Sequence, residues 1–302
     1  MLLYWNASKF TLIAMKRIFS CICVFFLACV FALSAIAADE FAFVPKLSGK
    51  IERQIGMFKN QETVLYDYHI HLRGGMTAEK AAIRQEKTGI RSGVLENFGR
   101  DWPLADNEKL RAFIEEAQKV RADAEPLLIG IQVNDRDWAR KIDPKLFEKL
   151  DYILADTMIM DTGPDGKPAK MWLDGYTIDD PEKWMERYMN HNRQILGEPI
   201  SILANPTYLP KPVEHLYDQL WTEERMREII ETAVEKNIAI EIQATSKFPN
   251  LKFLKLAKEL GAKFSFGTNN FDDTPLPVDR WFEMINELKL EKKDLWEITN
   301  EK

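Results

Sequence analysis

Leu65-Tyr66-Asp67-Tyr68-His69-Ile70-His71 is the first of seven short apolar runs whose spacing decides the fold. The others cover residues 90–96, 127–133, 151–156, 200–205, 238–243 and 263–268. They are near-continuous in Val, Ile and Leu instead of strictly alternating, which is how parallel strands covered on both faces read. The segments between them carry helix punctuation. Thr77 opens a helix that stops at Gly89, Asp106 opens one that runs to about Ala124, and Asn250 opens one that ends at Gly261. Asp143-Pro144 and Asp180-Pro181 each offer a capping carboxylate followed by proline at the first helical position, and Thr222 precedes Glu223-Glu224. Seven strand–helix units in series predict an α/β fold, a parallel (β/α)7-type barrel of the TIM-like kind, as one domain over residues 65–302. An open doubly wound sheet is the alternative, weakened because no glycine-rich phosphate loop of either common type is present.

Outward from that core, residues 1–38 read as a secretory signal peptide. Lys16-Arg17 precede an apolar run over residues 18–37 that closes on Ala35-Ile36-Ala37, a basic start, an apolar centre and a small-residue exit. Met15 is an alternative start. A retained membrane anchor and a lipid anchor on Cys29 are the rival readings. Cys21, Cys23 and Cys29 are the only cysteines, so the exported chain of 264 residues has no thiol or disulfide and depends on its core for stability. It keeps 38 basic and 47 acidic residues, a net charge of −9. Without a basic patch interleaved with aromatics, nucleic acid is not an expected partner. No later apolar stretch is long enough to span a membrane. The expected location is periplasmic or extracellular and the expected partner a small-molecule ligand. Residues 39–64 are read as a leader packed on the barrel.

Two long connections come after strand ends. One spans residues 157–179 and contains Asp165-Gly166, the signature of a hairpin. The other, 206–221, holds three prolines and Tyr208. Both lie at the strand C-terminal face, where barrels of this type place their sites. In the first run, His69 and His71 are two apart and share a face, pointing together into the mouth. That is how a His-x-His pair grips a metal ion, and equally how two histidines bond within a polar mouth. His191 and His215 fall on helical or loop segments suited to solvated surface. The other strands end in Glu96-Asn97, Gln132 and Asn134, Asp156, Asn205, Glu241 and Gln243, and Asn269-Asn270. One such residue merely ends its strand and caps the next helix; six or seven together describe a polar pocket.

On these residues the chain resembles the PHP (polymerase and histidinol phosphatase) superfamily over residues 66–270. The resemblance implies a distorted seven-stranded barrel and a cluster of up to three metal ions that hydrolyses phosphoesters. The first motif resembles Asp67-Tyr68-His69-Ile70-His71, the second Leu95-Glu96-Asn97. The strand of the bridging glutamate resembles Ile129-Gly130-Ile131-Gln132, and the next Asp156-Thr157-Met158. The His-Pro motif corresponds to Asn205-Pro206, and the closing motif to Gly267-Thr268-Asn269-Asn270-Phe271. Of the ligands that the family uses, only His69 and His71 stand. Asn97, Gln132, Met158, Asn205, Asn269 and Phe271 replace the others, and amides bring no charge to offset several cations.

Two functions remain open. In the first, one divalent ion (Zn, Mn or Fe) sits on His69 and His71 with Glu96, Asp156 or Glu241, and activates water in a hydrolase acting on a phosphoester or sugar derivative. Glu96, Asp156 and Glu241 are its candidate catalytic acids, and paired carboxylates working without metal on a glycoside are a variant. In the second, the barrel binds a sugar or other polar molecule without turnover. Asn97, Gln132, Asn205, Gln243, Asn269 and Asn270 would hydrogen-bond hydroxyls, while Tyr208 and the loop tryptophans Trp102, Trp138 and Trp172 stack on the ring. Trp184, Trp281 and Trp296 read as packing. Arg73 either anchors an anion or pairs with an acid of the pocket.

Overall fold

The computed structural model describes residues 47–60, 62–123, 126–160, 168–270 and 276–298, all within one compact unit. Residues 1–46 (with all three cysteines), Asp165-Gly166 and Phe271 lie outside the described residues. Seven parallel strands run in chain order: β1 (Tyr66–His71), β2 (Arg91–Leu95), β3 (Leu128–Val133), β4 (Tyr152–Asp156), β5 (Ile202–Ala204), β6 (Ala239–Gln243) and β7 (Phe264–Gly267). Each pairs with the next, and β7 pairs back onto β1 with Asp67 opposite Phe266, so the sheet closes. This is the barrel that the seven runs predict. The open sheet is excluded by the β7–β1 pairing.

The outer layer is built as its punctuation requires. Helices α1 (Gly49–Asn60), α2 (Ala78–Thr88), α3 (Asn107–Asp123), α4 (Pro181–Leu196), α5 (Glu223–Glu235), α6 (Leu251–Glu259) and α7 (Asp279–Leu288) surround the sheet. Thr77, Asp180, Thr222 and Asn250 accept the amides of Lys80, Lys183, Arg225 and Phe253, satisfying donors that a helix start leaves open. After β3 the chain makes only single turns, Trp138–Lys141 and Pro144–Phe147. Helix α1, within the leader segment, lies against α7, with Ile51 and Ile55 buried. The long connection after β4 folds back as a short antiparallel pair, with Ile159 opposite Lys170 and Met160 opposite Ala169.

Inside the barrel, Tyr152 takes the space that two glycines leave. A Cβ on Gly130 would sit 2.5 Å from the Tyr152 ring, and one on Gly93 2.9 Å from its hydroxyl. Tyr152 donates to the Tyr68 carbonyl at 2.8 Å, and Trp296 meets Tyr68 edge-on at 5.2 Å. These rings, with Leu154, Ile202 and Ala239, form the core near the strand starts. Burying large rings at that end supplies the hydrophobic stabilisation. It also confines the polar side chains to the other end, the mouth.

Candidate functional site

The mouth begins with an irregularity in β1. Asp67 pairs with Ser92 but Ile70 with Val94, so β1 carries one extra residue between them. Such a bulge re-aims side chains. Tyr68 turns into the ring core while its neighbour His69 also faces inward, to Glu241 and Gln132. Asp67 turns instead to α2, pairing with buried Arg84 at 2.8 Å and accepting both the amide and the hydroxyl of Thr268 at 2.9 and 2.6 Å. Strict alternation would send Asp67 into the mouth with the histidines; the bulge makes it a lock between β1, α2 and the end of β7.

His69 is the hub. Its Nδ1 lies 2.6 Å from Glu241 Oε1, and its Nε2 3.0 Å from Gln132 Oε1. Gln132 Nε2 donates to Asp156 Oδ2 at 3.1 Å and to Asn134 Oδ1 at 3.2 Å. Asp156 Oδ1 accepts the Met158 amide at 2.9 Å and Asn205 Nδ2 at 3.1 Å. Asn205 gives its backbone N–H to Glu241 Oε2 at 3.0 Å and accepts from Gln243 Nε2 at 2.7 Å; Gln243 Oε1 takes the Thr245 hydroxyl at 3.2 Å. The network closes on itself through β1, β3, β4, β5 and β6. Gly267 makes it fit: a Cβ there would collide with Glu241 Oε1 and come 2.7 Å from His69 Cβ. Asn205 and Thr207 adopt φ of 50° and 61°, an uncommon region for side-chain-bearing residues and most so for a β-branched one. Thr207 is pinned there by the Tyr217 hydroxyl at 3.0 Å.

The rest of the mouth, on β1 to β3, is less complete. His71 Nδ1 stands 3.6 Å from Glu96 Oε2, longer than a hydrogen bond. Arg73, partly exposed, donates to Asn97 Oδ1 at 3.2 Å and approaches Glu96 Oε2 at 3.4 Å. His71 Nδ1, Glu96 Oε1 and Asn134 Nδ2 are buried without a hydrogen-bond partner. Asn97, with Phe98, forms a two-residue strand after β2 that pairs with β3, placing Asn97 opposite Gln132. Asn270 rejoins β1, taking the His71 amide on its carbonyl at 2.8 Å, after Asn269 turns the chain with φ 50°. Its place is structural at the backbone.

The titration directions reflect this geometry. Burial works against a charge on His69, but the bonded Glu241 carboxylate, helped by Asp156 and Asp67, more than offsets it, and the pKa is raised. Burial pushes His71 down to about 4, against the nearby Glu96 and with the adjacent His69. Burial also raises Asp156, opposed by the Met158 and Asn205 donors.

Around His69 no ring nitrogen stands open to a metal ion. A ligand imidazole must offer a lone pair, and both His69 ring nitrogens already face acceptor oxygens of Glu241 and Gln132. Among the described residues no group of three or more His, Cys, Asp and Glu side chains is placed to share one. Asp156 and Glu241 accept three and two protein donors respectively. Glu96 alone of the three candidate acids retains an open oxygen.

Other expected residues are placed differently. Trp138 is fully buried and gives its indole N–H to Glu198 at 2.7 Å, so it stacks on no ligand. His191 is buried, stacked at 6.3 Å on Tyr188, and not at the surface. It fits there because α4 turns a wide apolar face inward, and burial pushes its pKa down to about 3. Tyr208 is half-buried, edge-on to Phe248 at 5.8 Å. Trp102 lies under Lys170 Nζ at 4.7 Å, and Trp172 is exposed. Trp184, Trp281 and Trp296 are buried, as packing requires. Asn134 and Gly267 are the positions that sequence reasoning undervalued, the first a strand-end amide like its neighbours, the second without a side chain to notice.

No family model matches the chain, and no curated protein does. Among solved structures it is similar to "a putative phosphonomutase from Burkholderia cenocepacia J2315", at 11% identity over 79% of this chain and 72% of that one, with a TM-score of 0.28. A likeness at that score carries no argument, and the barrel stands here on its own strand pairing.

Proposed function

We propose that this chain is an exported, PHP-like barrel that binds a small polar molecule in the β1–β3 half of its mouth without a metal ion. One observation carries the reading. His71 Nδ1, Glu96 Oε1 and Asn134 Nδ2, on three neighbouring strands, are buried with no partner in the chain. Leaving such atoms unmet costs about 1–3 kcal/mol each, and a ligand offering hydroxyls or amides meets all three. Arg73 at the rim supplies charge for an anionic substituent, and exposed Trp172 an apolar face. The order of strand-end positions supports the PHP relationship, and the basic–apolar–small leader supports export.

Titration calorimetry and thermal unfolding with a panel of sugars, polyols and sugar phosphates test this, run with and without chelator. The expected result is a concentration-dependent rise in melting temperature, unchanged by chelator and lost in Glu96→Gln combined with Asn134→Ala. A ligand at one hundred times its Kd stabilises by about 2.7 kcal/mol. No shift across the panel, or a shift that requires added metal, would overturn the reading.

The His71–Glu96 contact favours a second reading, hydrolysis of the bound phosphoester or sugar derivative. A neutral imidazole beside a carboxylate with one free oxygen is an arrangement suited to general base catalysis. Release of product from a generic phosphoester or aryl glycoside, abolished by His71→Asn, distinguishes an enzyme from a binder.

A further inference from the structure

We propose that a second pocket, on the rim beside the open half of the mouth, binds a small hydroxylated anion on the guanidiniums of Arg100 and Arg140. The ligand is a carboxylate or phosphate with a hydroxyl beside it, as in a sugar acid or a sugar phosphate. The pocket has a volume of about 410 Å3, within the range of small-molecule sites. It is walled by the connections after β2, β3 and β4, at the strand C-terminal face where barrels place ligands. The chain itself joins it to the open half, since Asp135 follows Asn134 and Gly99-Arg100 follows Asn97-Phe98. The site does not depend on the ligand reading of that half.

Its walls are tied together by contacts within the chain. Gly99, with φ 143°, lets two connections touch: a Cβ there would sit 2.6 Å from Asp135 Oδ2 and 2.8 Å from Trp102 Cδ1. Lys170, from the connection after β4, lies 4.7 Å above the Trp102 ring. Asn107, at the start of α3, donates to the Lys141 carbonyl and accepts the Asp143 amide, both at 2.9 Å. Arg136 Nη1 is held by the two Glu198 oxygens at 3.0 and 2.9 Å, and the buried Trp138 indole donates to the same carboxylate. A pocket ordered in this way gives up little conformational freedom when a ligand enters.

The charges of the pocket are unevenly answered. Lys141 pairs with Asp137 at 2.7 Å and approaches Asp135 at 3.9 Å, while Arg136 is taken by Glu198. Arg100, Arg140 and Asp101 line the same space, are exposed, and have no ion-pair partner among the described residues. Arg100 is near enough to Asp137 to assist Lys141, whose bond is the main cause, in holding that carboxyl below its ordinary value. Cations and acids balance once Glu198 is counted, so the anion is selected by two open guanidinium forks and not by net charge. Such forks match the paired oxygens of a carboxylate or phosphate. Asp101 disfavours a bare polyanion and accepts a hydroxyl beside the bound group.

Titration of the full chain with glycerate and with glycerol phosphate, followed by calorimetry and by arginine Nε–H spectra, tests the site. Glycerol and inorganic phosphate are the comparison probes. Two arginine signals, identified by their loss in Arg100→Gln and Arg140→Gln, are expected to move with either hydroxylated anion and not with glycerol. Each substitution should weaken binding about tenfold or more, the usual effect of losing a charge-assisted contact. Inorganic phosphate should bind more weakly than glycerol phosphate, and Asp101→Asn should narrow that gap. Both arginines are exposed and unpaired, so the variants should keep the parent melting temperature. Binding unchanged in both variants overturns the proposal, as does inorganic phosphate binding as tightly as glycerol phosphate. An anion response lost in Glu96→Gln combined with Asn134→Ala, but kept in Arg100→Gln, moves the anion to the mouth and also overturns it. Absence of any ligand from the open half leaves the two arginine signals responding as before, so the two readings fail separately.

Discussion

The two halves of the barrel mouth are built from the same residue types and end in opposite states. On β4 to β6, Asp156, Asn205, Glu241 and Gln243 satisfy one another and His69, through contacts of 2.6–3.2 Å. On β1 to β3, His71, Glu96 and Asn134 each bury one polar atom with no partner. Burial does not separate them, since both sets are almost fully enclosed. Completion does. A closed buried network rigidifies its surroundings, whereas an incomplete one is costly until something completes it. The first half therefore reads as scaffold and the second as the place where the proposed ligand would bind.

The sharpest way to break this comparison is to remove one charge from each half. Glu241→Gln keeps the shape but removes the carboxylate that His69 Nδ1 meets at 2.6 Å. Breaking a buried pair in this way costs roughly 3–5 kcal/mol. Glu96→Gln removes a carboxylate whose Oε1 already lacks a partner, and is expected to cost under about 1 kcal/mol. Urea unfolding of both variants gives the difference directly. Equal losses would mean that the two halves are energetically alike.

Acid sharpens it next. His71 has its pKa pushed down to about 4 by burial, so between that value and about 6.5 the unfolded chain binds a proton that the folded chain refuses. Stability falls as pH drops through this window, by roughly 3 kcal/mol in all. His191, pushed down to about 3, acts in the same direction and extends the loss lower. His69, raised, has the opposite sign: its contribution is complete below about 6.5 and is lost as pH rises through its folded value. Unfolding free energies of His71→Asn and His191→Phe should both show a flatter acid limb than the parent chain. A parent slope retained in His71→Asn would place that ring's charge elsewhere.

Gly267→Ala comes third, at roughly 1–3 kcal/mol. Its methyl would meet Glu241 and His69 in the closed half, and overpacking of this order forces neighbours off their rotamers. Ala in place of Gly at position 175, where a Cβ meets nothing but φ is 85°, separates the cost of crowding from that of backbone conformation. A crystal structure or ring spectra of Gly267→Ala should show the His69–Glu241 contact lengthened.

The barrel was largely legible because its cues are local. Continuous apolar runs marked all seven strands, and Thr77, Asp180, Thr222 and Asn250 announced helix starts that the structure honours. Convergence of polar strand ends was legible for the same reason, since a parallel barrel brings every C-terminal end to one rim. Partner choice was not. Nothing in the spacing of Gln132, Asp156 and Asn205 says which amide nitrogen meets which carboxylate, and that choice sets what faces His69 Nε2. Nor does alternation foresee the bulge that sends Asp67 to Arg84. His191 and Trp138 were misplaced because polar atoms suggest surface, whereas Tyr188 and Glu198 give these two a buried setting.

The smallest expected effect is the most discriminating. Asn134 spans the border between the halves, its Oδ1 accepting from Gln132 and its Nδ2 buried without a partner. Asn134→Ala deletes one bond of the closed network and one unmet donor of the open half together. The first loss costs about 1 kcal/mol and the second returns a similar amount, so stability should change by under about 0.5 kcal/mol. Ligand affinity should not be spared in the same way, because the deleted donor is one the ligand is expected to meet. A stability loss above about 1 kcal/mol with affinity unchanged would make Asn134 scaffold and move the border of the open half toward His71 and Glu96.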